Sequence, residues 1–538
     1  MKNLKWKKAG SAVLATALAG SMVLPATAYA QGEIVQLEGG TSTQTNTAPE
    51  QVFLNKYSGT VRTQNFNDNW KFYLGDASGA QTPAFDDSSW DQVNLPHDYS
   101  IDQKYNRSMD GESGYLPGGT GWYRKSFTVD KSLEGKRISS DFGGVYMNAT
   151  IYVNGKKLGT HPYGYTPFSF DITDNVKFGK ENVIAVKVDH QTPSSRFYSG
   201  SGIYRDVDFV VTDTVHVDKN GTKIETPDLK EHVDGNNVAV KVKTTVVNES
   251  ERDASVKVKH TIYPKNGTAE QAVATFESQE AVAVEKGKSK DVSADFTASG
   301  VQLWSTTTPN LYTVKTEVLM DGATVDTYET DYGFRYFAFD KNNGFTLNGQ
   351  KMKLQGVCMH HDQGALGSVA NDRSTERQVE ILKMMGCNSI RVTHNPASDE
   401  LIDACNKHGI LVIDEAFDGW VAPKNGNSND YAKWFNKEIE SDNEIMGAAD
   451  NMTWAQFDLT AMIERGQNDP AIIMWSLGNE MWEGTGGYSA AYKTAQDNLV
   501  KWAQAADTTR PVTTGDNKLK GEEEGSLMAY RKRRESME

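Results

Sequence analysis

Apolar and polar positions alternate with period two along the first three-fifths of the chain and then change rhythm. From Phe53 to about Thr212, segments such as Trp122–Val129, Ala149–Val153 and Val183–Val188 carry apolar side chains at every second position. That is the signature of a half-buried strand. Ala149–Val153 runs straight into Asn154-Gly155, a dipeptide favoured in two-residue hairpin turns because both positions tolerate positive φ. Many short strands broken by turns predict a sandwich or jelly roll. A second β-rich stretch, from about Val215 to Tyr336, alternates over Asn237–Lys243, Ala254–Lys259 and Leu311–Val318. Its roughly 120 residues and seven or so strands fit an immunoglobulin-like sandwich. It shows no catalytic constellation, so its expected job is spacing and packing.

After Phe337 strands alternate with helices. The predicted strands are Lys353–Met359, Ser389–Thr393, Ile410–Asp414, Ala471–Leu477 and Pro511–Thr514. The predicted helices are Thr375–Met385, Asp399–His408, Trp454–Arg465 and Ala490–Ala505, with Gly409 a C-terminal cap. This order implies parallel strands joined by right-handed crossovers, and a (β/α)₈ barrel is the leading reading.

Polar residues gather where these strands end: His360-His361-Asp362, His394-Asn395, Asp414-Glu415 with Asp418 and Trp420, and Asn479-Glu480. The C-terminal strand ends of a barrel form its active face, and four such clusters on successive strands are hard to explain as stability features. They suit carboxylate chemistry assisted by histidine. Glu480, after the buried run Met474-Trp475-Ser476-Leu477-Gly478-Asn479, suits a general acid whose pKa apolar neighbours raise. A metal site is the rival reading of the paired histidines, but no HExxH occurs and adjacent residues at a strand end need not converge on one ion. No GxSxG elbow and no Gly-rich phosphate loop is present.

Composition narrows the class. The 538 residues carry 56 Lys+Arg against 71 Asp+Glu, a formal charge of −15. An acidic chain repels phosphate, so nucleic acid is a poor partner. The first thirty residues stand apart: Lys2, Lys5, Lys7 and Lys8, an apolar run from Ala9 to Leu24, then Ala28-Tyr29-Ala30 before Gln31. This reads as a secretory signal peptide cleaved after Ala30, making the protein secreted or cell-surface, and its loss takes the formal charge to −19. No other stretch is long and apolar enough to span a bilayer. Three cysteines, Cys358, Cys387 and Cys405, exclude a disulfide scaffold and are expected to be buried, unpaired thiols.

These pieces carry a resemblance. Residues 94–101 (NLPHDYSI), 114–127 (GYLPGGTGWYRKSF), 194–207 (SSRFYSGSGIYRDV), 333–340 (GFRYFAFD), 356–367 (GVCMHHDQGALG), 388–420 and 468–480 (NDPAIIMWSLGNE) resemble glycoside hydrolase family 2, most of all its exported bacterial β-galactosidases. The resemblance implies a sugar-binding jelly roll, an immunoglobulin-like sandwich and a TIM barrel. It also implies Glu480 as general acid/base, Asn479 as a hydrogen-bond partner of the sugar, and His394 as a transition-state histidine. His360, Asp362, Arg196, Trp420 and Asp516 become candidate substrate contacts, with Arg391 a support for the site. No cofactor and no metal is implied; the family's magnesium site is not visible in Asp414–Trp420. The expected partners are β-galactoside sugars, with the oligomeric state open.

One feature departs from the pattern. A retaining glycosidase needs a second carboxylate as nucleophile about 5–5.5 Å from the first, and in the family it lies on a later strand. Only 58 residues follow Glu480, and five barrel strands are legible, not eight. The expected organisation is therefore a signal peptide (1–30), a linker (31–52), a jelly roll (53–213), a sandwich (214–336), the N-terminal part of a barrel (337–520) and a charged tail (521–538). The nucleophile is expected to be missing from this chain, which alone would be inactive. A β-glucuronidase or β-mannosidase of the same family is the alternative within the class. A non-catalytic secreted carbohydrate-binding protein is the alternative outside it.

Overall fold

The computed structural model describes residues 55–59, 61–481 and 490–515. The predicted leader, linker and tail, and Asp516, lie outside the described residues.

The jelly roll is two facing sheets. The larger runs Asp91–Val93, Trp70–Leu74, Gly119–Val129, Glu181–His190, Ala149–Val153, Lys156–His161, with Lys56–Tyr57 added in parallel to Gly119–Val129. The smaller runs Thr63–Asn65, Val207–Thr212, Arg137–Phe142, Phe168–Asp171. Ala149–Val153 and Lys156–His161 form the predicted hairpin, and Asn154 and Gly155 both adopt positive φ, 50° and 89°. Between the sheets Phe66, Phe127 and Phe209 interlock, with Phe66 5.2 Å from Phe127 and 5.6 Å from Phe209.

The second stretch is a sandwich of a three-stranded and a five-stranded sheet. It has eight strands rather than seven, because the short Ala274–Glu277 and Val282–Val284 both pair with Ala254–Pro264, near opposite ends of it. A three-stranded meander over Phe337–Lys351 leads into the third domain.

There, five parallel strands lie side by side in sequence order: β1 Gly356–Met359, β2 Ser389–Val392, β3 Leu411–Glu415, β4 Ile472–Ser476 and β5 Val512–Thr513. The helices are α1 Asp372–Met384, α2 Asp399–His408, α3 Trp454–Gly466 and α4 Ala490–Ala506. Their ends follow local chemistry. Asn371, Ser398 and Thr453 cap α1, α2 and α3 by accepting a backbone N–H. Gly409 ends α2 in the left-handed conformation, φ 68°.

Among the described residues the sheet is open, with β1 and β5 at its edges. The burial pattern reflects this. Residues facing the helices, such as Ile390, Val412, Ile473 and Trp475, are fully buried. Those facing the barrel axis at the matching level, Cys358, Arg391, Ile413 and Met474, are exposed or half-buried. All three cysteines are unpaired, but the expectation that all are buried holds only for Cys405; Cys387 is partly exposed and Cys358 is exposed on the edge strand.

One apolar core runs from the jelly roll into the barrel layer. Polar pins cross the same boundary. The Tyr163 hydroxyl donates to the Ala416 carbonyl (2.5 Å) and meets Asn395 Oδ1 at 2.7 Å. Arg205 donates to the Pro396 and Ala397 carbonyls, and His161 Nε2 meets the buried Asp458 at 2.8 Å. The loops after β2 and β3 are thus held from outside the barrel.

Candidate active site

The strand-end residues converge around Glu415. It lies at the tip of β3, is 0% exposed, and accepts from both neighbouring strands and from the loop after β2. From β2, Arg391 donates Nε (3.1 Å) and Nη2 (2.8 Å) to Oε2. From β4, its register neighbour Ser476 donates Oγ–H at 2.6 Å. Just past β2, His394 Nδ1 lies 2.8 Å from Oε1. A carboxylate oxygen only accepts, so Nδ1 carries the proton of this bond and the ring is held with Nε2 turned away from Glu415. Asp414, one residue earlier, faces the other way, where Arg465 and the Ala397 N–H bind it.

Asn479, 3% exposed, is gripped at every polar group. Its N–H donates to the Phe417 carbonyl (3.0 Å) and its carbonyl accepts from Lys424 Nζ (2.7 Å). Its Oδ1 accepts from Arg391 (3.0 Å), and its Nδ2 donates to Asp418 (3.2 Å), leaving the second Nδ2 hydrogen for another acceptor. Gly515 sits against this pair: a Cβ there would lie 2.3 Å from Arg391 Nη2. Glu480 follows with φ 35°, an uncommon conformation for a side-chain-bearing residue. Its side chain is half-buried and has no hydrogen bond or ion pair among the described residues.

The jelly roll closes one side. Arg196 donates Nε (3.1 Å) and Nη2 (2.7 Å) to the two oxygens of Asp418. Burial is the largest single influence on Asp418 and would raise its pKa. The Arg196 hydrogen bond and the charges of Lys424 and Arg196 outweigh it and bring the carboxyl down to about 2. Phe197 packs on His360 at 4.4 Å, and His360 in turn stands edge-on to His394 at 5.2 Å. Burial, then the nearby His394, lower the pKa of His360. His361 turns away: half-buried against Tyr165 and Tyr204, it bonds the Ser199 carbonyl, and desolvation lowers its pKa to about 4.

Of the predicted site residues, the structure brings together Glu480, Asn479, His394, His360 and Arg196. Asp362 is exposed beyond them. Trp420 is 2% exposed and donates its indole N–H to the Leu477 carbonyl, so it supports the turn beneath Asn479. Asp516 lies outside the described residues. Sequence reasoning missed Lys424, Tyr163 and the anchoring role of Glu415. Lys424 and Tyr163 carry no local motif. Glu415 stood out only as a strand-end acid. Among the described residues, one trio of potential metal donors lies close together, Glu376, Glu380 and His408. Arg373 and Lys407 already pair with those carboxylates, which makes it an ion-pair network.

Three family models match the chain in order: the sugar binding domain of glycosyl hydrolases family 2 over residues 63–213, glycosyl hydrolases family 2 over 222–335, and the family 2 TIM barrel domain over 340–531. The chain belongs to glycosyl hydrolase family 2. Among curated members, it is 39% identical over 483 residues to "Beta-galactosidase BoGH2A" of Bacteroides ovatus, covering 84% of this chain and 54% of that protein. It is 34% identical over 456 residues to a "Putative beta-glucuronidase" of Formosa agariphila, covering 84% of this chain and 40% of that one. A solved glycosyl hydrolase family 2 member from Bacteroides cellulosilyticus superposes with a TM-score of 0.78 at 37% identity, over 87% of this chain and 57% of that one. A Bacteroides uniformis β-glucuronidase gives 0.70 at 30% identity, over 84% and 52%. The chain thus spans about half the length of these family 2 relatives.

Proposed function

We propose that this chain supplies the sugar-binding domain and the acid/base half of the catalytic site of an exported glycosidase that cleaves terminal β-D-galactosides with retention. The observation that carries the reading is the Asn479-Glu480 pair, gripped at Asn479 and free at the Glu480 carboxyl. Glu480 protonates the glycosidic oxygen as the bond breaks, then takes the proton from water in the second step. Asn479 offers its remaining N–H to the sugar, and His394 presents its ring, fixed by Glu415, toward the charge that develops. The nucleophile is assigned outside the described residues. The nearest strand-end acids support this: Glu415 is consumed by Arg391, His394 and Ser476, and Asp418 by Arg196 and Lys424.

A relative named for β-galactosidase at 39% identity supports the galactoside assignment. Relatives named for β-glucuronidase at 34% and 30% identity support glucuronide as the second reading. The test is a panel of nitrophenyl β-galactoside, β-glucuronide and β-mannoside, assayed on the gene product carried through the remaining barrel strands. Preference for the galactoside by at least about tenfold is expected, some 1.4 kcal/mol in transition-state binding. Preference for the glucuronide overturns the substrate assignment, and no turnover of any overturns the hydrolase reading.

A further inference from the structure

The three domains meet around a polar cavity of about 130 Å³ whose lining shares no residue with the strand-end site. It is roomy enough for a few waters at about 30 Å³ each. The jelly roll contributes Asp141, Arg205, Asp206 and Asp208, the sandwich Lys219, and the barrel Asp399, Glu400 and Arg465. Asp141 and Asp208 stand directly opposite each other across two neighbouring strands, a placement in which like charges repel. Lys219 donates to Asp141 at 2.8 Å and to Ser169 at 2.7 Å, and Asp208 has no hydrogen bond or ion pair among the described residues. Asp206 accepts from the neutral Asn67 amide at 3.0 Å. Glu400 is 9% exposed and its Oε2 has no partner.

The arginines direct their Nη atoms elsewhere, and the Nε of each is buried without a partner. Arg205 gives both Nη atoms to backbone carbonyls of Tyr165, Pro396 and Ala397. Arg465 binds Asp414, Asp399 and the Ala397 carbonyl. Five carboxylates therefore line the cavity with three cations, and no cation bonds Asp206, Asp208 or Glu400.

We propose that this junction is a pH-responsive latch: with Asp206, Asp208 and Glu400 protonated the jelly roll and the barrel stay docked, and with them ionised the carboxylates repel across the cavity and their contact loosens. Burial is the first cause at each group, and it pushes Asp206 up to about 6, Asp208 to about 7 and Glu400 to about 7. Asp372 and Asp399 add to the rise at Asp206, Asp141, Asp206 and Asp399 at Asp208, and Asp399 at Glu400. Asn67, Lys219, and Ser398 with Arg205 oppose it at the three groups in turn. Each group binds its proton more tightly in the folded state than its ordinary values of 3.8 or 4.5 allow. The stabilisation is therefore complete below about pH 4 and is lost as the pH rises through about 6 to 7. The latch does not depend on the glycosidase reading.

The experiment is hydrogen exchange on the whole chain at about pH 5.5 and about pH 8, corrected for intrinsic rates. Peptides covering 137–142, 206–212 and 399–405 are expected to lose at least about tenfold in protection at the higher pH, the factor that one unit of pKa displacement carries. The Glu181–His190 strand, in the other sheet of the same jelly roll, is expected to hold within about threefold. Asp206→Asn, Asp208→Asn and Glu400→Gln together are expected to abolish the junction-specific loss. The same loss in that variant overturns the latch. So does a wild-type junction whose protection is unchanged between the two conditions, a result that needs no variant to fold.

Discussion

His394 and Glu415 form a 2.8 Å hydrogen bond across the tips of β2 and β3, and the same carboxylate holds Arg391 and Ser476. One buried acid thereby sets the orientation of the histidine, the arginine and, through Arg391, the side chain of Asn479. Its worth is structural as much as chemical, because a carboxylate that is 0% exposed persists only while its partners do.

Replacing Glu415 with Gln removes the charge that compensates Arg391. Breaking a buried pair from one side costs about 3–5 kcal/mol, and a loss at the low end is expected because Arg391 keeps 25% of its side-chain surface in solvent. Urea unfolding of the whole chain measures it. Arg373→Ala, which removes an exposed, solvent-screened ion-pair partner on α1, is expected to cost clearly less. Equal costs for the two variants would refute the anchoring role.

In an enzyme with the remaining strands present, Glu480→Gln is expected to slow hydrolysis of lactose by about 10²–10⁴-fold. Substrates with good leaving groups need less protonation and should suffer far less. Azide should restore turnover on them and yield a β-galactosyl azide. Normal lactose hydrolysis by the variant rules out Glu480 as the acid/base.

The chain by itself is expected to show no turnover of nitrophenyl β-galactoside, since the strand-end acids Glu415 and Asp418 are already held by Arg391, His394 and Ser476 and by Arg196 and Lys424, and the sheet of described residues is open. The same openness exposes Cys358 on the barrel-axis side of β1, while Cys405 is buried and its thiol is pushed up by burial. A thiol reagent should therefore label Cys358 in the native protein at once and Cys405 only on unfolding. Protection of Cys358 together with turnover would mean that another segment or subunit completes the barrel.

Export is testable at the N-terminus. Four lysines, an apolar run and Ala28-Tyr29-Ala30 predict a mature protein beginning at Gln31. Mass spectrometry of the exported protein decides it, and a product that keeps Met1 or starts elsewhere counts against cleavage after Ala30.

The sequence alone determined the order of the layers and the C-terminal ends of the barrel elements, because these depend on local physics, while β1 begins at Gly356 rather than Lys353 and α1 at Asp372 rather than Thr375. Period-two alternation marked Ala149–Val153 to the residue, Asn154-Gly155 marked its turn, and Gly409 marked the end of α2 through a backbone angle that glycine accepts most readily. It also placed His394, Asn479 and Glu480 at strand tips, since a barrel fixes where strand ends go. Which side chains meet there was decided by the tertiary structure. Glu415 and Asp414 are neighbours in sequence and point to opposite sides of a strand. Lys424 reaches the Asn479–Asp418 pair from a loop with no motif to announce it, and Arg196, flagged by its motif as a sugar contact, reaches Asp418 from another domain. Those contacts span up to 222 positions along the chain, and the hydrogen bonds and desolvation that define them arise only once the domains pack.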